Sequence, residues 1–125
     1  MRYGALYHQH SCGAVGELIP DFIKCGVDIL EPLQKVPDLE PQILHEKYGS
    51  QITFLGGIDT QHLLPSGSEE DVLEETRKIA DIFSASGGYI LMASQSFQMD
   101  VPLRNILAVY SLRNPSLRCS DAHKP

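Results

Sequence analysis

Two histidines and a cysteine stand close together near the start of the chain, in the stretch YHQHSCGAVGELI. Imidazole nitrogen and thiolate sulfur are the softest donors a protein offers, and together they suit zinc. The His10-x-Cys12 spacing therefore points to metal or thiol chemistry. Alternation along an extended segment puts His8 on the same face as His10. An H-x-C pair also occurs as a small buried cysteine beside a histidine bonded to a backbone carbonyl, so the pair by itself is not specific. Other groups able to do chemistry follow at intervals. Glu31 stands just before Pro32, Asp59 and Gln61 follow a GGID turn, and Ser94 and Gln95 follow an apolar run. The turn offers Gly56 and Gly57 for close backbone approach but lacks the spacing of a nucleotide-binding fingerprint. Cys25 reads as a structural thiol at a helix end and Cys119 as an incidental one in the tail. Asp59 also suits a turn or cap, Asp100 a helix N-terminus, and Met92 and Met99 packing.

These residues recur at equivalent places in a repeating grammar: a short apolar run, a loop, then a segment of helical period. GALYHQ leads into AVGELIPDFIKCG, where Val15, Leu18, Ile19, Phe22 and Ile23 form an apolar stripe that Gly26 closes. VDILEPLQ precedes a helix around DLEPQILHEKYG, closed at Gly49. QITFLGGID and a turn-rich TQHLLPSGS precede SEEDVLEETRKIADIFSA, where Ser68 and Asp71 form a capping box and Val72, Thr76, Ile79, Ala80 and Phe83 face inward. GGYILMAS, with Tyr89, Ile90 and Leu91 as strand core, precedes the helix LRNILAVYSL, for which Pro102 suits the first turn. Short, wholly apolar runs alternating with helices predict parallel strands buried on both faces, hence an α/β fold. A small doubly wound sheet and four units of a (β/α)8 barrel both satisfy the pattern. Polar residues after every strand favour the barrel, which builds its sites from that ring of loops. A full barrel takes about 250 residues, so these units would be half of one.

Composition narrows the functions. The chain has 125 residues, 42% hydrophobic content and a formal net charge of -6. That suits one modest domain and excludes a basic nucleic-acid surface. The run SEEDVLEE reads as a solvated helix face. An odd count of three cysteines, with no secretory signal, suits a reducing cytoplasm. No apolar run approaches a membrane span. The ordered domain is expected over residues 1–112, and RNPSLRCSDAHKP suggests a disordered tail over 113–125.

Three blocks, HSCGAVGELIPDFIKCGVDILEPLQ, FLGGIDTQHLLPSGSEEDV and GGYILMASQSFQMDVPLRNILAVY, together resemble the uroporphyrinogen decarboxylase family in order and spacing. They are most similar to its branch related to corrinoid-dependent methyltransferases. The resemblance spans about residues 5 to 112 and implies the C-terminal half of a (β/α)8 TIM barrel. In that branch it implies a zinc ion that activates a thiol for methyl transfer, with a corrinoid as methyl donor or carrier. Matched residue by residue, the zinc ligands would be His10, Cys12 and Glu31. The branch's late cysteine falls at Gln95, where related sequences carry cysteine or histidine; an amide oxygen is a poor zinc ligand beside these.

The family's other chemistry is cofactor-free decarboxylation of uroporphyrinogen, a tetrapyrrole. For that reading Asp59, Gln61 and Gln95 would bind substrate. Those decarboxylases carry a histidine where this chain has Gln95, and they lack the H-x-C pair. The partners implied are a small-molecule thiol or tetrapyrrole and a corrinoid protein, without nucleic acid or membrane. A third possibility is an inactive half-barrel. Its two open parallel edges would call for dimerisation or for a missing N-terminal half.

Overall fold

The structure is a computed structural model that describes residues 4–85 and 87–115. Four short strands, β1 (His8–His10), β2 (Ile29–Leu33), β3 (Thr53–Gly56) and β4 (Tyr89–Ile90), form one sheet in the order β1-β2-β3-β4. All three pairings are parallel, so each connection must cross back over the sheet, and each does so through helix. The helices are α1 (Ile19–Lys24), α2 (Pro41–Tyr48), α3 (Leu63–Ser66), α4 (Glu69–Ser84) and α5 (Leu103–Ser111). The result is an α/β fold of four successive (β/α) units, the arrangement of a partial TIM barrel. Among the described residues no helix is long and apolar enough to cross a membrane. Most of the expected tail, beyond residue 115, lies outside the described residues.

Register assigns the two faces of the sheet. Leu30 of β2 pairs with Phe54 of β3, and Phe54 with Tyr89 of β4. This side carries α4: the Phe83 ring lies 5.2 Å from that of Phe54 and 5.1 Å from that of Tyr89. Alternation sends His8, His10, Ile29, Glu31, Thr53, Leu55 and Ile90 to the opposite face. Ile90, expected in the strand core, is 41% exposed there. Apolar runs of this kind are buried on both faces when helices cover the second face or when a barrel closes over it.

Helix α4 forms for the reasons its sequence shows. The Ser68 hydroxyl accepts from the Asp71 N–H while the Asp71 carboxylate accepts from the Ser68 N–H, closing the capping box. Val72, Thr76, Ile79 and Phe83 are buried, with Leu73 beside them. The first helix departs from its expected length. A 3-10 turn at Gly16–Leu18 precedes α1, and Leu18 is exposed although it belongs to the apolar stripe. The Gly16 N–H donates to the Asp38 carboxylate, so the chain enters the helix late, at Ile19, with Pro20 in its first turn. TQHLLPSGS, read as turns, contains the short helix α3, held from α5 by Asn105, whose amide donates to the carbonyls of Leu64 and Gly67. Pro102 is the N-cap of α5 rather than part of its first turn. Met99, expected to pack, is fully exposed.

Candidate active site

The last residue of β1, His10, meets Glu31 because parallel register pairs the two directly; Glu31, expected at a strand end, is the middle residue of β2. Their side chains share a face, and the loop after β1 is tied back to β2. Ser11 N–H donates to the Glu31 carbonyl at 2.7 Å, and Gly13 N–H donates to the Gln34 side chain. Gly13 adopts a φ of 87°, which a β-carbon would disfavour, so glycine lets the loop turn here. The Glu31–Pro32 bond is cis.

A continuous polar chain results. His8 Nε2 lies 2.9 Å from Glu31 Oε2, and His10 Nδ1 lies 2.6 Å from Glu31 Oε1. On its other side His10 Nε2 lies 3.1 Å from Cys12 Sγ. The Gln95 amide, just past β4, donates to the same sulfur at 3.3 Å. Cys12 and Gln95 stand 83 residues apart in sequence.

The electrostatics follow from these contacts. The Glu31 carboxylate, and then Cys12, raise the His10 pKa above the ordinary histidine value. The Gln95 amide, and then His10, lower the Cys12 thiol below its ordinary value. Hydrogen bonds to the charged form cause both shifts, and the two groups compete for one proton, so they titrate as a pair. Alkylation of Cys12 by iodoacetamide should therefore reach half its maximal rate below about pH 8.5, the midpoint of a free cysteine. Gln95→Leu removes the amide donor to the sulfur and should move that midpoint upward, with Cys12→Ser reporting the background from the other cysteines. An unchanged midpoint would show that the amide does not stabilise the thiolate.

The donor set fits zinc in part. His10 Nε2 and Cys12 Sγ face one another at 3.1 Å, about 0.5 Å closer than the roughly 3.6 Å between nitrogen and sulfur ligands of one tetrahedral zinc ion, so the pair would have to part slightly to admit the metal. Glu31 meets His10 through Nδ1, the far side of the ring, where a carboxylate orients a metal-binding histidine. Both Glu31 oxygens are engaged by imidazoles in this arrangement. Among the described residues no three His, Cys, Asp or Glu side chains are grouped to hold a metal. The other side chain at this corner is Gln95, whose amide meets the Cys12 sulfur.

Asp59 and its neighbours form a second, separate group. Asp59 is buried, and its oxygens accept from the backbone N–H groups of Gln61, His62 and Leu63. Burial would raise its pKa, yet these three donors hold it below the usual value. It caps the turn into α3. Ser94 is likewise occupied, its hydroxyl donating to the Ile58 carbonyl at 2.9 Å. A cavity of about 210 Å³ lies between Asp59, Gln61, Ser94 and Gln34. Asp59→Ala should destabilise the chain by about 2 kcal/mol at neutral pH, because it orphans buried donors and removes a cap. The Asp59 pKa is lower folded than unfolded, so its stabilisation is present above about pH 4 and is lost as pH falls through the folded value. Denaturant titrations at pH 7 and pH 3 should therefore show a smaller difference between variant and wild type at pH 3.

His8 is the member of the polar chain that the H-x-C spacing leaves out. Strand alternation was the available signal, since it places His8 with His10 beside whatever β2 presents.

No curated protein and no solved structure matches the chain. The family model described as Uroporphyrinogen decarboxylase (URO-D) matches residues 3–114. Together with four parallel (β/α) units and polar groups at their strand ends, that match shows that the chain belongs to the uroporphyrinogen decarboxylase (URO-D) family.

Proposed function

We propose that this chain carries the thiol-activating part of a methyl-transfer enzyme in the URO-D family, with His10 and Cys12 as zinc donors and Glu31 as the carboxylate behind His10. The observation that carries this reading is the approach of His10 Nε2 to Cys12 Sγ at 3.1 Å with Nδ1 held by Glu31. The pair lies at the C-terminal end of parallel strands, where barrels bind substrate. Zinc, when bound, would supply Lewis acidity that converts a substrate thiol into a thiolate nucleophile. The chain's own contribution is to hold that corner. Glu31 fixes the orientation of His10, Gln95 donates to the Cys12 sulfur, and the bond from Gly13 to Gln34 fixes the loop between them. The methyl group would come from a corrinoid or its carrier protein, and the setting would be the cytoplasm. Four units are half of a (β/α)8 barrel, so the reaction belongs to an assembly in which further units cover the edges β1 and β4. Metal-free decarboxylation of a tetrapyrrole is less well supported, because Asp59, its proposed substrate contact, is already engaged by three backbone donors.

The test is zinc binding by the purified, reduced chain and by Cys12→Ser. About one zinc per chain at micromolar metal, lost in the variant, is the result expected for a site of this kind. If neither protein takes up zinc at that concentration, the methyl-transfer reading loses its mechanism. Tetrapyrrole binding seen by absorbance would then favour decarboxylation.

A further inference from the structure

His8 has no place in the zinc–thiol site proposed above, yet it contacts the residue that orients His10. Its Nε2 lies 2.9 Å from Glu31 Oε2, while Oε1 of the same carboxylate takes His10 Nδ1 at 2.6 Å. The carboxylate thus lies between two imidazoles from one strand, spaced so that alternation puts both on its side of the sheet. Glu31 is the more enclosed partner, its side chain 17% exposed against 42% for His8.

A glutamate carboxylate rotates easily about its terminal bond. One hydrogen bond to Oε1 leaves the other oxygen free to exchange places with it. A second donor on Oε2 removes that freedom, because both oxygens must then stay where they are. We propose that His8 is a positioning residue: by donating through Nε2 to Glu31 it locks the carboxylate plane, which in turn holds His10 in the tautomer protonated at Nδ1. His10 Nε2 is then the bare nitrogen, with its lone pair directed at Cys12. Neutral imidazole can act as donor at only one nitrogen, so fixing Nδ1 as the donor determines which nitrogen is free to bind a metal. His8 does not act as a ligand with the other two, since the carboxylate separates its ring from that of His10 and from Cys12. The inference rests on His10 serving as a donor through Nε2, but its structural half, the tautomer, can be read without metal.

The experiment compares the full wild-type chain with His8→Ala, His8→Gln and His8→Asn. Ring-nitrogen chemical shifts of His10 from nitrogen-15 spectra report the tautomer, and competition with a chromophoric chelator reports zinc affinity. The wild type should show His10 protonated at Nδ1. His8→Ala should show mixed tautomers and zinc binding weakened by about tenfold, the lower end of what loss of an outer partner costs a metal site. A glutamine amide nitrogen reaches about as far from the backbone as histidine Nε2, whereas that of asparagine falls short. His8→Gln should therefore restore both readouts and His8→Asn should not, a contrast that a general loss of folding would not produce. The proposal is overturned if His8→Ala leaves the His10 shifts unchanged, or if glutamine and asparagine behave alike. If the wild type binds no zinc, the zinc–thiol reading fails while the tautomer readout still decides the role of His8.

Discussion

Gln95→His should bind zinc on the order of a hundredfold more tightly than the wild-type chain, or roughly 2.8 kcal/mol. Gln95 Nε2 lies 3.3 Å from Cys12 Sγ, and a histidine Nε2 reaches about as far from the backbone. The substitution therefore exchanges an amide for an imidazole at the same place. Catalytic zinc sites ordinarily have three protein donors and one open position. The native arrangement directs two donors, His10 Nε2 and Cys12 Sγ, toward each other, with an amide as the third neighbour. Adding a good third donor should also make binding depend more steeply on pH, because a further imidazole must be neutral to bind. Cys12→Ser in the same background should abolish the gain. An affinity within twofold of the wild type would mean that position 95 does not face the metal corner, whatever its contact with the sulfur.

Phe83→Ala should be strongly destabilising, costing about 4 kcal/mol. The ring is buried and stands between Phe54 at 5.2 Å and Tyr89 at 5.1 Å, with His45 edge-on at 6.3 Å. Removing it leaves a cavity between α4 and two strands and takes away the contact that seats β4. A domain of this size has a total stability of roughly 5–15 kcal/mol, so the variant should be largely unfolded at modest urea. The change should appear as a lower midpoint with an unchanged slope. Phe83→Leu fills most of the volume and should cost about 1–2 kcal/mol. Tyr89 adds a second link, its hydroxyl donating to the Gly56 carbonyl at 2.7 Å, and burial keeps that phenol protonated by pushing its pKa well up. Loosening β4 should also move Gln95 away from Cys12, so Phe83→Leu should raise the midpoint for Cys12 alkylation slightly. A cost below about 1 kcal/mol for Phe83→Ala would show that the ring cluster does not hold the sheet to α4.

The parts of this fold that were legible were those set by neighbours in sequence. The capping box of Ser68 and Asp71 and the stripe of Val72, Thr76, Ile79 and Phe83 depend only on residues within one helix. The four apolar runs likewise became four parallel strands, because such runs have no polar face to offer water. Leu18 was misplaced for the opposite reason. Its periodicity was correct for a helix, but a contact from Asp38, in the next unit, converted that turn to 3-10 geometry.

The candidate site divides in the same way. Sequence alone determined the residue types, His10, Cys12, Glu31 and Gln95, and placed His10 and Cys12 at the end of a strand, since both follow from the chain's own order and periodicity, whereas Glu31 falls in the middle of β2 rather than at its end. Only the tertiary structure decided which atoms face one another. Register set His10 beside Glu31 through Nδ1 rather than Nε2, made His8 the second partner of that carboxylate, and brought Gln95 to Cys12 across 83 residues. Hydrogen bonds and metal geometry act over about 3 Å. Distances on that scale are fixed by how strands pair and loops return, which no single segment of the chain contains.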